Sequence, residues 1–214
     1  MVEGELSETS ANLISSLTSS SSEKRGLDDQ EKLIVRELIK DPRISDNQIS
    51  TNTNIPLKSV NRKRKRMEFE GLLNYYTALD SSEKGTGAFS GRHLYLVKLN
   101  HGISRKDVLD FLKQNSSRSK HKMKHVHSTF VGRSGANLVL VKLIESRLSS
   151  DIVEIYNCDI VPELKNRFGE DAIVSTDVIH IDEMFRLFHN YMPGLNMKDG
   201  KISENWNDEF IHVE

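Results

Sequence analysis

At 214 residues the chain has room for one or two domains, taking about 150 residues as a domain. Lys and Arg number 30 against 31 Asp and Glu, so the formal charge of −1 excludes a uniformly basic coat protein but not local basic patches. The single Cys excludes a disulfide framework within the chain and any C-x-x-C metal or redox motif. No stretch approaches the ~18 apolar residues of a membrane helix, and no basic segment followed by an apolar run marks a secretory signal. The expectation is a cytoplasmic protein without a membrane partner.

Residues 1–26 hold eight Ser and carry a net charge of −2, a composition that buries too little apolar surface to offset ordering entropy. They are expected to form a flexible Ser-rich leader, in which only Leu13, Ile14 and Leu17 have helical spacing. Asp28 followed by Glu31 is a capping box that opens a helix carrying Leu33, Ile34, Val35, Leu38 and Ile39 and ending before Pro42. Ser45 with Gln48 is a second capping box, opening a short helix to about Asn52. Pro56 suits the first turn of a third helix, which Gly71 ends. Leu72 to Asp80 reads as a strand from its tyrosines and aliphatics. Helix, short helix, tight turn, helix and strand form the order of a winged helix-turn-helix over 27–80.

A Ser- and Gly-rich linker is expected over 81–91. From 92 to 181 the rhythm is βαββαβ. His93 to Leu99 predicts a strand, and Ser104 to Gln114 a helix with Val108, Leu109 and Leu112 inward. Lys124 to Val131 and Asn137 to Ile144 predict strands about a turn from Gly132 to Gly135. A helix follows from about Ser150 to Phe168, broken near Pro162, and Val174 to Ile181 closes the pattern. The fold class is therefore α+β, with a C-terminal antiparallel sheet and both helices on one face, a ferredoxin-like sandwich. Glu183 to Met192 has the spacing of one more helix, inside an acidic extension over 182–214 with net charge −4.

Lys58, Arg62, Lys63, Arg64, Lys65 and Arg66 place six positive charges in nine residues. Alone, such a run reads as a solvated helix face. As the second helix of a helix-turn-helix it would lie in the major groove, its first residues at base edges. At 100° per residue Leu57, Val60, Arg64 and Met67 form the inward stripe, Arg64 laying its stem on the core and directing its guanidinium outward. Lys58, Ser59, Asn61, Arg62 and Lys65 then face the groove, with Lys63 and Arg66 on the flank toward phosphate. Asn and Arg read adenine and guanine edges bidentately, whereas Lys serves as a point charge for phosphate.

The stretch from Leu27 to Asp80 resembles the Lrp/AsnC (leucine-responsive regulator) family along its length. The matching segments are LDDQEKLIVRELIKDPRIS, VNRKRKRMEFEGLLNYY and the closing TALD. The βαββαβ order that follows is similar to that family's effector and oligomerisation domain. The resemblance implies a sequence-specific transcription regulator of double-stranded DNA, acting as a homodimer or higher homo-oligomer paired through the C-terminal sheets. It also implies a small-molecule effector bound near the hairpin at Gly132, Arg133, Ser134, Gly135 and Asn137. The chain departs from the family in carrying Arg64 where an aliphatic is usual, and Asn137 where the hairpin carries an Asp. With no acid on this turn to hold an ammonium, an anionic or neutral effector is expected there. Neither the leader nor the acidic extension has a family counterpart.

His121, His125 and His127 share a short window, but Arg118, Lys120, Lys122 and Lys124 oppose a dication, so no metal is expected. Cys158, flanked by apolar residues, reads as a small core residue. The sequence contains no nucleophile elbow, P-loop or dinucleotide fingerprint, and neither catalysis nor a cofactor is expected. The competing reading is a small-ligand sensor or protein-interaction module whose helix-turn-helix does not act on DNA. The six-cation helix discriminates, since a module that ignored DNA would have little reason to keep it.

Overall fold

A computed structural model of the chain describes residues 25–79, 85–87, 89–115, 120–186, 188–193 and 195–213. They divide into two units, one of residues 25–75 with 186–213 and the other of 76–185. Residues 1–24 of the Ser-rich leader and residues 81–84 and 88 of the expected linker lie outside the described residues.

The first unit opens with three helices: α1 (Asp29–Lys40), α2 (Asp46–Thr53) and α3 (Leu57–Phe69). Both expected capping boxes are formed, Asp28 with Glu31 and Ser45 with Gln48, so each helix begins where its first free N–H groups find side-chain acceptors. Asn54 in the left-handed region ends α2, and Gly71, at φ 68°, turns the chain after α3. Ile34, Leu38, Ile49, Ile55, Val60 and Met67 form the core, with Leu27, Val35, Ile44 and Leu73 packed around it. Arg25 ties the ends of the bundle, its guanidinium bonded to Glu31 at 2.7 Å and Glu70 at 2.7 Å.

Two sequence expectations fail in this unit. Residues 72–79 are not a strand. Leu73 packs on the helical core and the Tyr75 hydroxyl donates to Glu68 at 2.8 Å, so the segment is tied to the end of α3 instead of a ladder. Nor do the described residues within 183–192 form a helix: Phe188 takes a φ of 56°, which interrupts any helical run. The acidic extension is folded. A hairpin of β5 (Met197–Lys198) and β6 (Lys201–Ile202) is anchored by Asn196, whose amide accepts from Met192 N–H and donates to the Asn190 carbonyl, both at 2.9 Å. Tyr191 donates to the Ile39 carbonyl at 3.1 Å and Lys40 pairs with Asp208 at 2.6 Å, docking the segment on α1.

The second unit has the expected βαββαβ order. Strands β1 (Gly91–Leu99), β2 (Val126–Ser134), β3 (Asn137–Ser146) and β4 (Ile173–His180) form one antiparallel sheet in the order β2-β3-β1-β4. Helix α4 (Arg105–Asn115) buries Val108 and Phe111 against it. A short helix, α5 (Lys120–His125), occupies residues expected to begin β2, so that strand starts later. The β2–β3 turn is tighter than expected. Ser134 pairs with Asn137 about a two-residue loop in which Gly135 takes a φ of 60°, while Gly132 stays in the ladder opposite Val139.

The long helix is not broken at Pro162. Helix α6 (Ser149–Glu154) runs through a π-helical stretch (Ile155–Ile160) into α7 (Val161–Phe168). The Val161 N–H reaches back five residues to the Tyr156 carbonyl, so the ladder changes register immediately before the residue without a donor. Tyr95, Val97 and Leu99 of β1 and Leu138, Leu140 and Ile144 of β3 meet these helices.

By strand alternation Lys142 belongs to that same helix-facing row, and only 9% of it is exposed. Burial, with Lys122 nearby, pushes its ammonium down to about 8, against a weaker opposing pull from Glu163. An unfolded lysine titrates at 10.5, so below pH 8 the folded chain bears the full penalty of the charged form. From there to 10.5 the folded state binds fewer protons than the unfolded state and the penalty fades. Lys142→Met is therefore expected to stabilise the chain by about 1–3 kcal/mol at pH 7. Urea unfolding at stepped pH should show that gain shrinking between pH 8 and 10.5.

Candidate nucleic-acid interface

The rotation of α3 is set by its two fully buried residues, Val60 and Met67. Leu57, expected on the same stripe, is 45% exposed, and Arg64 fills the inward position between them. The Arg64 guanidinium donates to Asp46 Oδ1 at 2.9 Å, Glu68 Oε1 at 3.1 Å and the Tyr75 hydroxyl at 2.9 Å, and lies over the Tyr75 ring. Burial alone would lower its pKa; the bonds to Asp46 and Tyr75 outweigh that and raise it. Arg64 thus joins α3 to the start of α2 and to the chain beyond α3.

Two further cations of the run are also engaged within the unit. The Lys63 ammonium pairs with Asp28, the cap of α1, and holds that carboxyl below its ordinary value. Arg66 pairs with Glu70 at 2.8 Å, the carboxylate that also receives Arg25. The other three, Lys58, Arg62 and Lys65, are exposed and form no ion pair with the described residues. Their spacing of four and three residues places them on one face of α3. Asn61 stands beside them, exposed, its amide donating to Asp46 Oδ2 at 2.9 Å, while Ser59 is half-buried in the first turn. The face offers two lysines, an arginine and an amide to a groove, and the neighbouring carboxylate of α3, Glu68, is engaged by Arg64 and Tyr75.

Sequence reasoning passed over the acids that set this face. Asp28 was legible as a helix-start residue, yet nothing local shows that it also reaches across to Lys63, or that Asp46 in the first turn of α2 reaches Arg64.

The remaining candidates fall elsewhere. On the β2–β3 hairpin Gly132, Arg133, Ser134 and Gly135 are exposed, and the half-buried Asn137 donates its amide to the Leu99 carbonyl at 3.0 Å. His125 is buried, with Nδ1 2.9 Å from the Glu145 carbonyl, and His127 lies exposed against Ser128. No group of metal-ligating side chains occurs among the described residues. Cys158, expected in the core, is exposed, because the π-helical stretch turns it to the outside while Ile155, Tyr156 and Ile160 are buried. No described helix is long and apolar enough to cross a membrane.

Residues 27–74 match the family described as winged helix-turn-helix DNA-binding. No curated protein matches the chain. Among solved structures, AsnC of E. coli is 13% identical, with 76% of this chain and 97% of that one covered at a TM-score of 0.54. The leucine response regulatory protein of Mycobacterium tuberculosis is 17% identical, covering 78% and 100% at 0.55. The transcriptional regulator NMB0573 of Neisseria meningitidis, solved with L-Met, is 12% identical, covering 78% and 97% at 0.57.

Removing Asp46 takes one of three side-chain partners from Arg64 and the acceptor from the exposed Asn61 amide, so Asp46→Ala is expected to destabilise the helical unit by about 0.5–1.5 kcal/mol. Chemical denaturation followed by far-UV circular dichroism measures it. Residues 27–74 thus match a winged helix-turn-helix DNA-binding family, and the chain shares the fold of AsnC and the leucine response regulatory protein over more than three quarters of its length.

Proposed function

We propose that the chain is a sequence-specific transcription regulator that reads double-stranded DNA through α3 and works as a homodimer or higher homo-oligomer, with a small molecule modulating it. The exposed, unpaired face of Lys58, Arg62 and Lys65 carries this reading. Asn61 and Arg62 supply base-edge contacts, and Lys58, Ser59 and Lys65 supply phosphate contacts. Lys63 and Arg66 join the phosphate contacts only by exchanging their carboxylate partners.

Pairing of two chains is supported by the sheet face turned away from the helices. There Leu94 and Leu96 of β1, Phe130 of β2, Val141 and Leu143 of β3 and Ile179 of β4 lie side by side through the strand register. Phe130 is 60% exposed and Ile179 46%. A contiguous apolar face of this kind is ordinarily covered by another sheet. Two subunits also double the DNA contacts across half-sites about one helical turn apart.

Two phosphate-facing lysines per subunit give about four phosphate neutralisations per dimer, so log K against log[salt] should fall with a slope of about −3.6. Lys58→Ala or Lys65→Ala should flatten it by about one unit for the single-subunit equivalent, and Lys63→Ala by clearly less. Arg62→Ala should relax discrimination at one base pair by about 1–3 kcal/mol. Fluorescence anisotropy on duplex DNA over a salt series reads all of these, and a slope shallower than about −2 overturns the proposal. For assembly, Phe130→Glu is expected to shift the full chain toward monomer in light scattering at micromolar concentration.

A further inference from the structure

The sheet unit contains a cavity of about 180 Å³ between the edge strand β2, helices α4 and α7, and the short helix α5. Phe111, Val126 and Leu164 form apolar wall, and Lys142 and Thr129 bring polar atoms to it. The Lys142 side chain sits in the helix-facing row of β3 between Leu140 and Ile144, nine-tenths buried. Its ammonium has one hydrogen bond, a long one to Thr129 Oγ1 at 3.4 Å, so two of its three donors lack an acceptor among the described residues. The acid on the cavity wall, Glu163, is engaged by Lys122. Among the described residues of the wall, two ammonium groups and one carboxylate leave a net charge of +1.

A buried ammonium without a matched anion is costly, and an aliphatic residue in the same row would pack without that cost. A ligand that supplied one negative charge would remove it. We propose that this cavity is a binding site for a small aliphatic monocarboxylate, its carboxylate on Lys142 and Thr129 and its alkyl end against Phe111 and Leu164.

The size fits: at ~30 Å³ per water the space equals about six waters, and a ligand of about eight non-hydrogen atoms is of that order. One net charge and an apolar wall favour a carboxylate over a phosphate dianion, which needs more donors. A free amino acid fits poorly, because its ammonium would enter beside Lys142 and Lys122 while Glu163 is already paired. The depressed ammonium of Lys142 agrees with a site lacking its counterion. The cavity lies within the sheet unit and is separate from both the β2–β3 turn and α3, so a failure here leaves the DNA reading intact, and the reverse.

The test uses the full chain and 4-methylpentanoate as probe, by isothermal titration calorimetry at pH 7. Saturable binding at one site per chain is expected, with a Kd on the order of 1 mM or tighter. 4-Methylpentanamide and L-leucine should bind at least about tenfold more weakly. Lys142→Met should lose binding about tenfold or more while keeping its far-UV circular dichroism. Thr129→Trp, at an exposed position on the cavity wall, should block entry without removing the charge. Absence of saturable binding to the parent chain overturns the proposal. So does binding unchanged in both variants, or leucine binding as tightly as the probe.

Discussion

The burial of Val60 and Met67 governs how this chain meets any partner, because it fixes the rotation of α3. Each such side chain contributes about 1.5–3 kcal/mol when removed from water. A turn of one residue would move every side chain on the helix by about 100° and expose both. The outward line of Lys58, Arg62 and Lys65 follows from that packing. Arg64 reinforces it, since an arginine in the inward row reaches Asp46 on α2 and Tyr75 beyond α3 and locks the same rotation by hydrogen bonds.

Around that helix the acids have double duties. Asp28 caps α1 and holds Lys63; Glu31 completes the same capping box and receives Arg25. Glu70 takes both Arg25 and Arg66. Exposed ion pairs contribute little to stability one by one. Their effect here is on charge: they withdraw half of the basic run from the solvent-facing field and concentrate what remains on one stripe. The counterion release available to the helix is correspondingly smaller than its count of basic residues.

Much of the fold was legible because its signals are local. Capping boxes, Pro56, the alternating strands and the βαββαβ order all rest on neighbours within a few residues. The failures share a different cause. Residues 72–79 have strand composition but are claimed by side-chain bonds to α3, and 183–192 have helical spacing but are pinned by Tyr191 and Asn196 to distant groups. Pro162 signals a break that a π-helical register change absorbs. In the candidate interface the outward face could be derived from 3.6-residue periodicity, but the neutralisation of Lys63 by Asp28 crosses 35 positions of sequence. Lys142 drew no notice within the aliphatic run of β3, because its burial without a paired anion is a property of the packed unit.

Because residues 186–213 belong with the helices and not with the sheet, the sheet unit is an insertion. The chain leaves the helical unit after residue 75 and returns to it at 186. Two covalent crossings join the units where a simple tandem arrangement has one. Scission at a single crossing would leave the DNA-binding helices attached to the sheet unit through the other. An inserted unit also has its two ends held by its host, which limits how far it can drift and raises the effective concentration of one unit about the other.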